Sequence, residues 1–132
     1  MNKLDKESIK GISALLVHAA KIDEIYSAHE QELIKNFIKS YLEDGDVNEI
    51  LKKAEEIESN SNQLLNFTNI IKQKSMDIKK NIIEHLWKVI ISDKTIDQYE
   101  SNLMRRICGL IYFPDKESAE IKLKLINLKW PT

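Results

Sequence analysis

Two stretches decide the fold: Asp23-Glu24-Ile25-Tyr26-Ser27-Ala28-His29-Glu30 and Asp93-Lys94-Thr95-Ile96-Asp97-Gln98-Tyr99-Glu100. They stand 70 residues apart and share one pattern, Asp, two residues, an apolar or aromatic residue, Ser or Asp, two residues, Glu. The match extends outward in the same register. Ile12 meets Ile82 and Leu16 meets Leu86 ahead of the motifs; Leu33 meets Leu103 after them. Val17 with Trp87, Ile34 with Met104, Lys35 with Arg105 and Phe37 with Ile107 are conservative pairs in that register. Apolar agreement is expected of any two amphipathic helices, but identical carboxylates at a helix–helix connection are not. The pattern predicts a duplicated helical hairpin, with a third and a fourth helix inserted between the copies.

Apolar periodicity fills in the rest. It predicts helices over about 8–22 and 28–42, then a third through Val47, Ile50, Leu51, Ala54 and Ile57, stopped by the polar run 59–62. A short fourth covers 64–71, and a strongly apolar fifth runs over 76–91 with Ile82, Ile83, Leu86 and Trp87. The sixth passes through Tyr99, Leu103 and Ile107 to Ile111. Phe113-Pro114 breaks it, and Asp115 is placed to N-cap a seventh through Ala119, Leu123 and Ile126. Gly45 is available for a left-handed cap after the second helix. The fold class is all-α: one domain, residues 1–132, of about seven helices.

Composition agrees. With three Gly and two Pro in 132 residues, the chain lacks turn material for a sandwich or barrel. Twenty basic residues against twenty-one acidic ones argue against a generally basic nucleic-acid-binding domain. The lone Cys108 excludes an intramolecular disulfide and fits a reducing compartment. No apolar run reaches the ~18 residues of a membrane span. Lys3, Lys6 and Lys10 ahead of the apolar stretch 11–20 loosely mimic a signal peptide, but Asp5, Glu7 and His18 interrupt it. The expectation is a cytoplasmic protein.

The acidic motifs have two readings. Ser27 with Glu30, and Asp97 with Glu100, have capping-box spacing, which explains all four without any ligand. Capping does not explain Asp23 and Asp93, which fall near the C-terminal end of the preceding helix, where the helix dipole disfavours a carboxylate. A divalent cation, Ca²⁺ or Mg²⁺/Mn²⁺, would offset that charge. Carboxylates flanking a turn supply the hard oxygen donors it needs. Asp23, Glu30, Asp93 and Glu100 are the candidate ligands, expected on the surface, with Ser27, Asp97 and Glu24 secondary. The spacing is not that of an EF-hand, whose Glu follows the first Asp by about eleven residues. Lys21, Lys94, Arg105 and Arg106 could neutralise the same carboxylates without metal.

These motifs, their separation and the Leu86-Trp87-Lys88-Val89-Ile90-Ile91-Ser92-Asp93 approach to the second resemble the tellurite-resistance TerB-like domain, from about Ile9 to Leu128. The resemblance implies an all-helical domain of this length, carrying twice a helix that ends in Ala-Asp-Gly, then a polar cap and a Glu. It implies a metal site at the clustered acids, here Asp23 and Glu30, then Asp93 and Glu100. It also implies a stress-response module that works through protein partners. The Gly after each Asp is replaced, by Glu24 in one copy and Lys94 in the other.

The remaining chemistry is sparse. His18, His29 and His85 lack zinc-ligand spacing; His29 reads as solvent-facing, the other two as partly buried helix residues. Cys108, Trp87 and Phe37 read as core, and Trp130 as packing back or docking in a partner. No Gly-rich phosphate loop or nucleophile–base arrangement is present, so the chain reads as no enzyme. A metal-free interaction or scaffold domain is the alternative.

Overall fold

The computed structural model describes residues 4–22, 26–91 and 98–129. Among them are seven helices and no strand: α1 (Lys6–Ala20), α2 (Ala28–Tyr41), α3 (Val47–Asn60), α4 (Leu65–Lys72), α5 (Met76–Ile91), α6 (Gln98–Ile111) and α7 (Asp115–Lys129). α1 begins two residues earlier than its periodicity suggests because Asp5 caps it, its carboxylate accepting the Ser8 N–H at 2.8 Å. Asp46 caps α3 in the same way, accepting from the Asn48 N–H at 2.9 Å. Asp115 does not cap α7; it is the first residue of the helix, where its charge still suits the dipole.

α1 is the central element, packed against α2, α3, α4 and α5. Its 11–20 stretch belongs to the core: Ile12, Leu15, Leu16 and Val17 are fully buried. No described helix is long and apolar enough to cross a membrane. Gly11 lets α4 close on α1, since the Ile70 side chain occupies the place a Cβ would take.

The duplication is visible in the burial. The buried positions of α2 are Glu30, Ile34, Phe37, Ile38 and Tyr41; 70 residues on, Glu100, Met104, Ile107, Cys108 and Ile111 of α6 are all buried too. The extent of the repeat differs from expectation. α3 packs on both α1 and α2, as α7 packs on both α5 and α6. Among the described residues the repeating unit is therefore three helices, with α4, which touches α1 and α6, inserted between the copies.

α7 departs from its predicted stripe. Ala119 and Leu123 face solvent, while Ser118 and Ile121 are buried and Leu125 is half-buried. Apolar residues alternate along this helix and offer two stripes; the one that packs carries the serine, whose Oγ accepts the Trp87 indole N–H at 2.9 Å.

Candidate functional site

The start of α2 shows the expected cap in full. The Glu30 N–H donates to Ser27 Oγ at 3.1 Å and the Ser27 N–H donates to Glu30 Oε1 at 2.7 Å. The surface placement is corrected: Glu30 is 1% exposed and Glu100 is 3% exposed. A carboxylate enters a helix interface when hydrogen bonds replace its water, and the capping box supplies one. Asp23, Glu24, Asp93 and Asp97 lie outside the described residues, as do Lys94 and Trp130. Among the described residues α1 runs to Ala20 and α5 to Ile91.

Around the first motif the fold gathers groups from three helices. Tyr26 donates its phenolic proton to Glu55 Oε2 of α3 at 2.6 Å. One turn along α3, Glu58 accepts from Lys21 Nζ at 2.8 Å and lies 3.3 Å from His18 Nδ1. The Tyr26 phenol is pushed well above its ordinary range, first by burial, then by its bond to Glu55 and the charges of Glu55, Glu30 and Glu58. This end of the molecule thus carries a concentrated negative field, answered among the described residues by Lys21 and, when protonated, His18.

A duplicated helical unit, with a buried glutamate opening the second helix of each copy, is now in place. A family model described as tellurite resistance protein TerB matches residues 10–123. The chain belongs to the TerB family. Neither a curated protein nor a solved structure matches the chain.

The TerB match spans both copies and stops within α7. Within this TerB domain, among the described residues, no three His, Cys, Asp or Glu side chains come together as a metal would require. Lys21, foreseen as a competing cation, pairs with Glu58 among the described residues. Glu55 and Glu58 escaped the sequence reading. Their signal was present: they sit i, i+3 at the margin of the Leu51–Ala54–Ile57 stripe, where a side chain is half in and half out. The His18–Glu58 contact pairs a base with a carboxylate, which the sequence reading had not expected. Ser61 lines a pocket with this pair, and its hydroxyl accepts from the Asn66 amide at 2.7 Å.

Cys108 is 1% exposed and its thiol is pushed up by burial, consistent with packing. His29 faces solvent, and His18 and His85 are partly buried, as expected.

Proposed function

We propose that this TerB domain is a stress-response module that takes a divalent cation at the acidic ends of its two hairpins and works through a protein partner. The carrying observation is the gathering of carboxylates at the first hairpin: Glu55 accepts the Tyr26 phenol at 2.6 Å, Glu58 meets Lys21 at 2.8 Å, and Glu30 caps α2 beside them. Repulsion among carboxylates in a half-buried site is relieved by a nearby positive charge. The donors are of the right kind, carboxylate oxygens, but the described residues do not complete a coordination set. Asp23 would complete it beside Glu30, and Asp93 beside Glu100. When bound, the ion supplies charge neutralisation and a tie between consecutive helices. This is a binding role and needs no catalytic group.

A second reading rests on Lys21. Its ammonium already meets Glu58 at 2.8 Å, so the acidic end can be balanced without metal and present a docking face.

Calorimetric titration with Ca²⁺, Mg²⁺ and Mn²⁺, with melting curves at millimolar ion, separates the two. A resident cation raises the melting temperature of the wild type, and Asp23→Asn combined with Asp93→Asn abolishes the rise while the domain stays folded. A wild type indifferent to all three ions, with a double variant that is more stable, overturns the metal reading in favour of the docking face.

A further inference from the structure

The second copy carries a polar cleft that the acidic motifs do not use. It lies where α6 and α7 face each other over α5. α6 contributes Met104 and Arg105, and α7 contributes Asp115, Ser118, Ala119 and Lys122, spaced i, i+3, i+4, i+7 and therefore on one face. Trp87 of α5 closes the floor, and the cleft encloses about 290 Å³. The indole is fixed in place by its hydrogen bond to Ser118.

The charges are unbalanced. Lys122 holds its ammonium 5.2 Å from the centre of the Trp87 ring. Among the described residues neither Lys122 nor Arg105 has a carboxylate within ion-pair distance. Asp115 on the rim leaves the cleft with a net charge of about +1, counting Arg105 and Lys122 as protonated.

The first copy shows that the fold does not require this arrangement. There Val17 stands in place of Trp87, and α3 meets α1 and α2 through Ile50, Leu51 and Ala54, all buried. Lys35, the counterpart of Arg105, is paired with Glu32 at 3.8 Å. At these positions the first copy packs apolar side chains and pairs its cation; in the second the seam is open, with two cations unanswered among the described residues. Half-burying an ammonium without a counter-ion costs free energy, and a ligand that supplies the anion recovers it.

We propose that this cleft binds a small organic anion. Its carboxylate or phosphate-monoester head sits between Arg105, whose guanidinium can take two oxygens at once, and Lys122. Its apolar body rests on Trp87, Met104 and Ala119. No described residue lining the cleft belongs to the acidic motifs.

The chain has two tryptophans, so Trp130→Phe leaves Trp87 as the only indole N–H signal in a ¹H–¹⁵N spectrum. That protein is titrated with benzoate, phenyl phosphate, inorganic phosphate and the neutral benzamide. Benzoate or phenyl phosphate should shift the Trp87 signal saturably, with benzamide silent and inorganic phosphate weaker; the tighter of the two names the head group. Arg105→Gln with Lys122→Gln should weaken binding at least ~10-fold, about 1.4 kcal/mol, without changing the melting temperature. Arg106→Gln, one residue away and outside the cleft, should leave it unchanged. The proposal is overturned if no anion shifts the signal saturably at millimolar concentration or benzamide binds equally. It also falls if inorganic phosphate matches phenyl phosphate, or if Arg106→Gln costs as much as the double substitution.

Discussion

Near the end of α1 the chain reads Leu15, Leu16, Val17; seventy residues on, in α5, it reads His85, Leu86, Trp87. The middle residue is the same and fully buried in both. On either side, aliphatic groups in the first copy become rings with polar atoms in the second. Trp87 reaches across to Ser118 of α7, and His85 sets its ring against Phe37 at 5.2 Å. Helix spacing and the line of buried positions are thus common to the copies, while side-chain size and polarity have diverged. The second copy, with its bulkier groups and looser third helix, is where the cleft opens.

The largest way to break that comparison is to truncate both sides of it. Trp87 is 4% exposed, and Trp87→Ala should cost about 3–5 kcal/mol, while Val17→Ala, losing two methyl groups, should cost about 2 kcal/mol. Urea unfolding of both variants gives the difference directly. Equal losses would mean that Trp87 contributes no more packing than a valine, and that the cleft floor is soft.

How much of this was legible in the sequence depends on which physical signal each element carries. α2 and α6 announce themselves through paired apolar residues such as Phe37-Ile38 and Ile107-Cys108, and their buried positions follow the sequence register, with Leu103 buried where Leu33 is half-buried. Ser27 and Glu30 were legible as a capping box because the spacing alone specifies both hydrogen bonds. The depth of Glu30 was not, because burial of a carboxylate depends on what a third helix lays over it. α7 misled because its apolar residues alternate, so that two stripes compete and only contact with α5 chooses between them. Glu55 and Glu58 were missed for a related reason: charged residues at a stripe margin gain their partners from Tyr26 and Lys21, elsewhere in the chain. The candidate metal ligands divide along the same line, with Glu30 and Glu100 placed and the aspartates outside the described residues.

The exits from the two hairpins sharpen the comparison at smaller energy. Gly45, between α2 and α3, has φ +130°, and Tyr112, between α6 and α7, has φ +59°. After α6 the Phe113 N–H reaches back to the Cys108 carbonyl at 2.8 Å and the Tyr112 N–H to Gly109 at 3.4 Å, a Schellman closure. That closure normally takes glycine where this chain has Tyr112. Gly45→Ala should therefore cost about 1–2 kcal/mol. Tyr112→Gly relieves about 1–2 kcal/mol of left-handed strain. It gives back about 0.5–1 kcal/mol to the freer unfolded chain and about 0.5 kcal/mol for the lost Lys72 ammonium, 5.0 Å from the Tyr112 ring. The net gain is about 0.3 kcal/mol. Paired denaturation curves decide it: if both glycine-bearing forms are the less stable of their pair, conformational strain does not set the stability of these exits.

The smallest effect is a pH dependence that one copy has and the other lacks at this position. Leu15 cannot titrate, whereas its counterpart His85 is buried enough to hold the imidazole below its ordinary value of about 6.5. Burial is the main cause. The Asn81 carbonyl, 2.9 Å from Nδ1, and Glu84 oppose it, while Lys88 adds to it. A lowered value in the folded state means that the unfolded chain takes up its proton first as the pH falls. His85 therefore leaves stability intact above about pH 6.5 and subtracts from it as the pH drops through that value towards the folded one. The slope is a fraction of the ~1.4 kcal/mol per pH unit that one fully displaced proton would give. Substituting His85→Leu, the residue the other copy uses, removes this proton. It orphans no carbonyl, because the Asn81 oxygen keeps its place in the helical ladder of α5. Melting curves at pH 7.5, 6.5 and 5.5 should show the variant gaining on the wild type with each acid step. Parallel curves would mean that His85 takes its proton in the folded state as readily as in the unfolded one, and that polarity at this position carries no energetic difference between the copies.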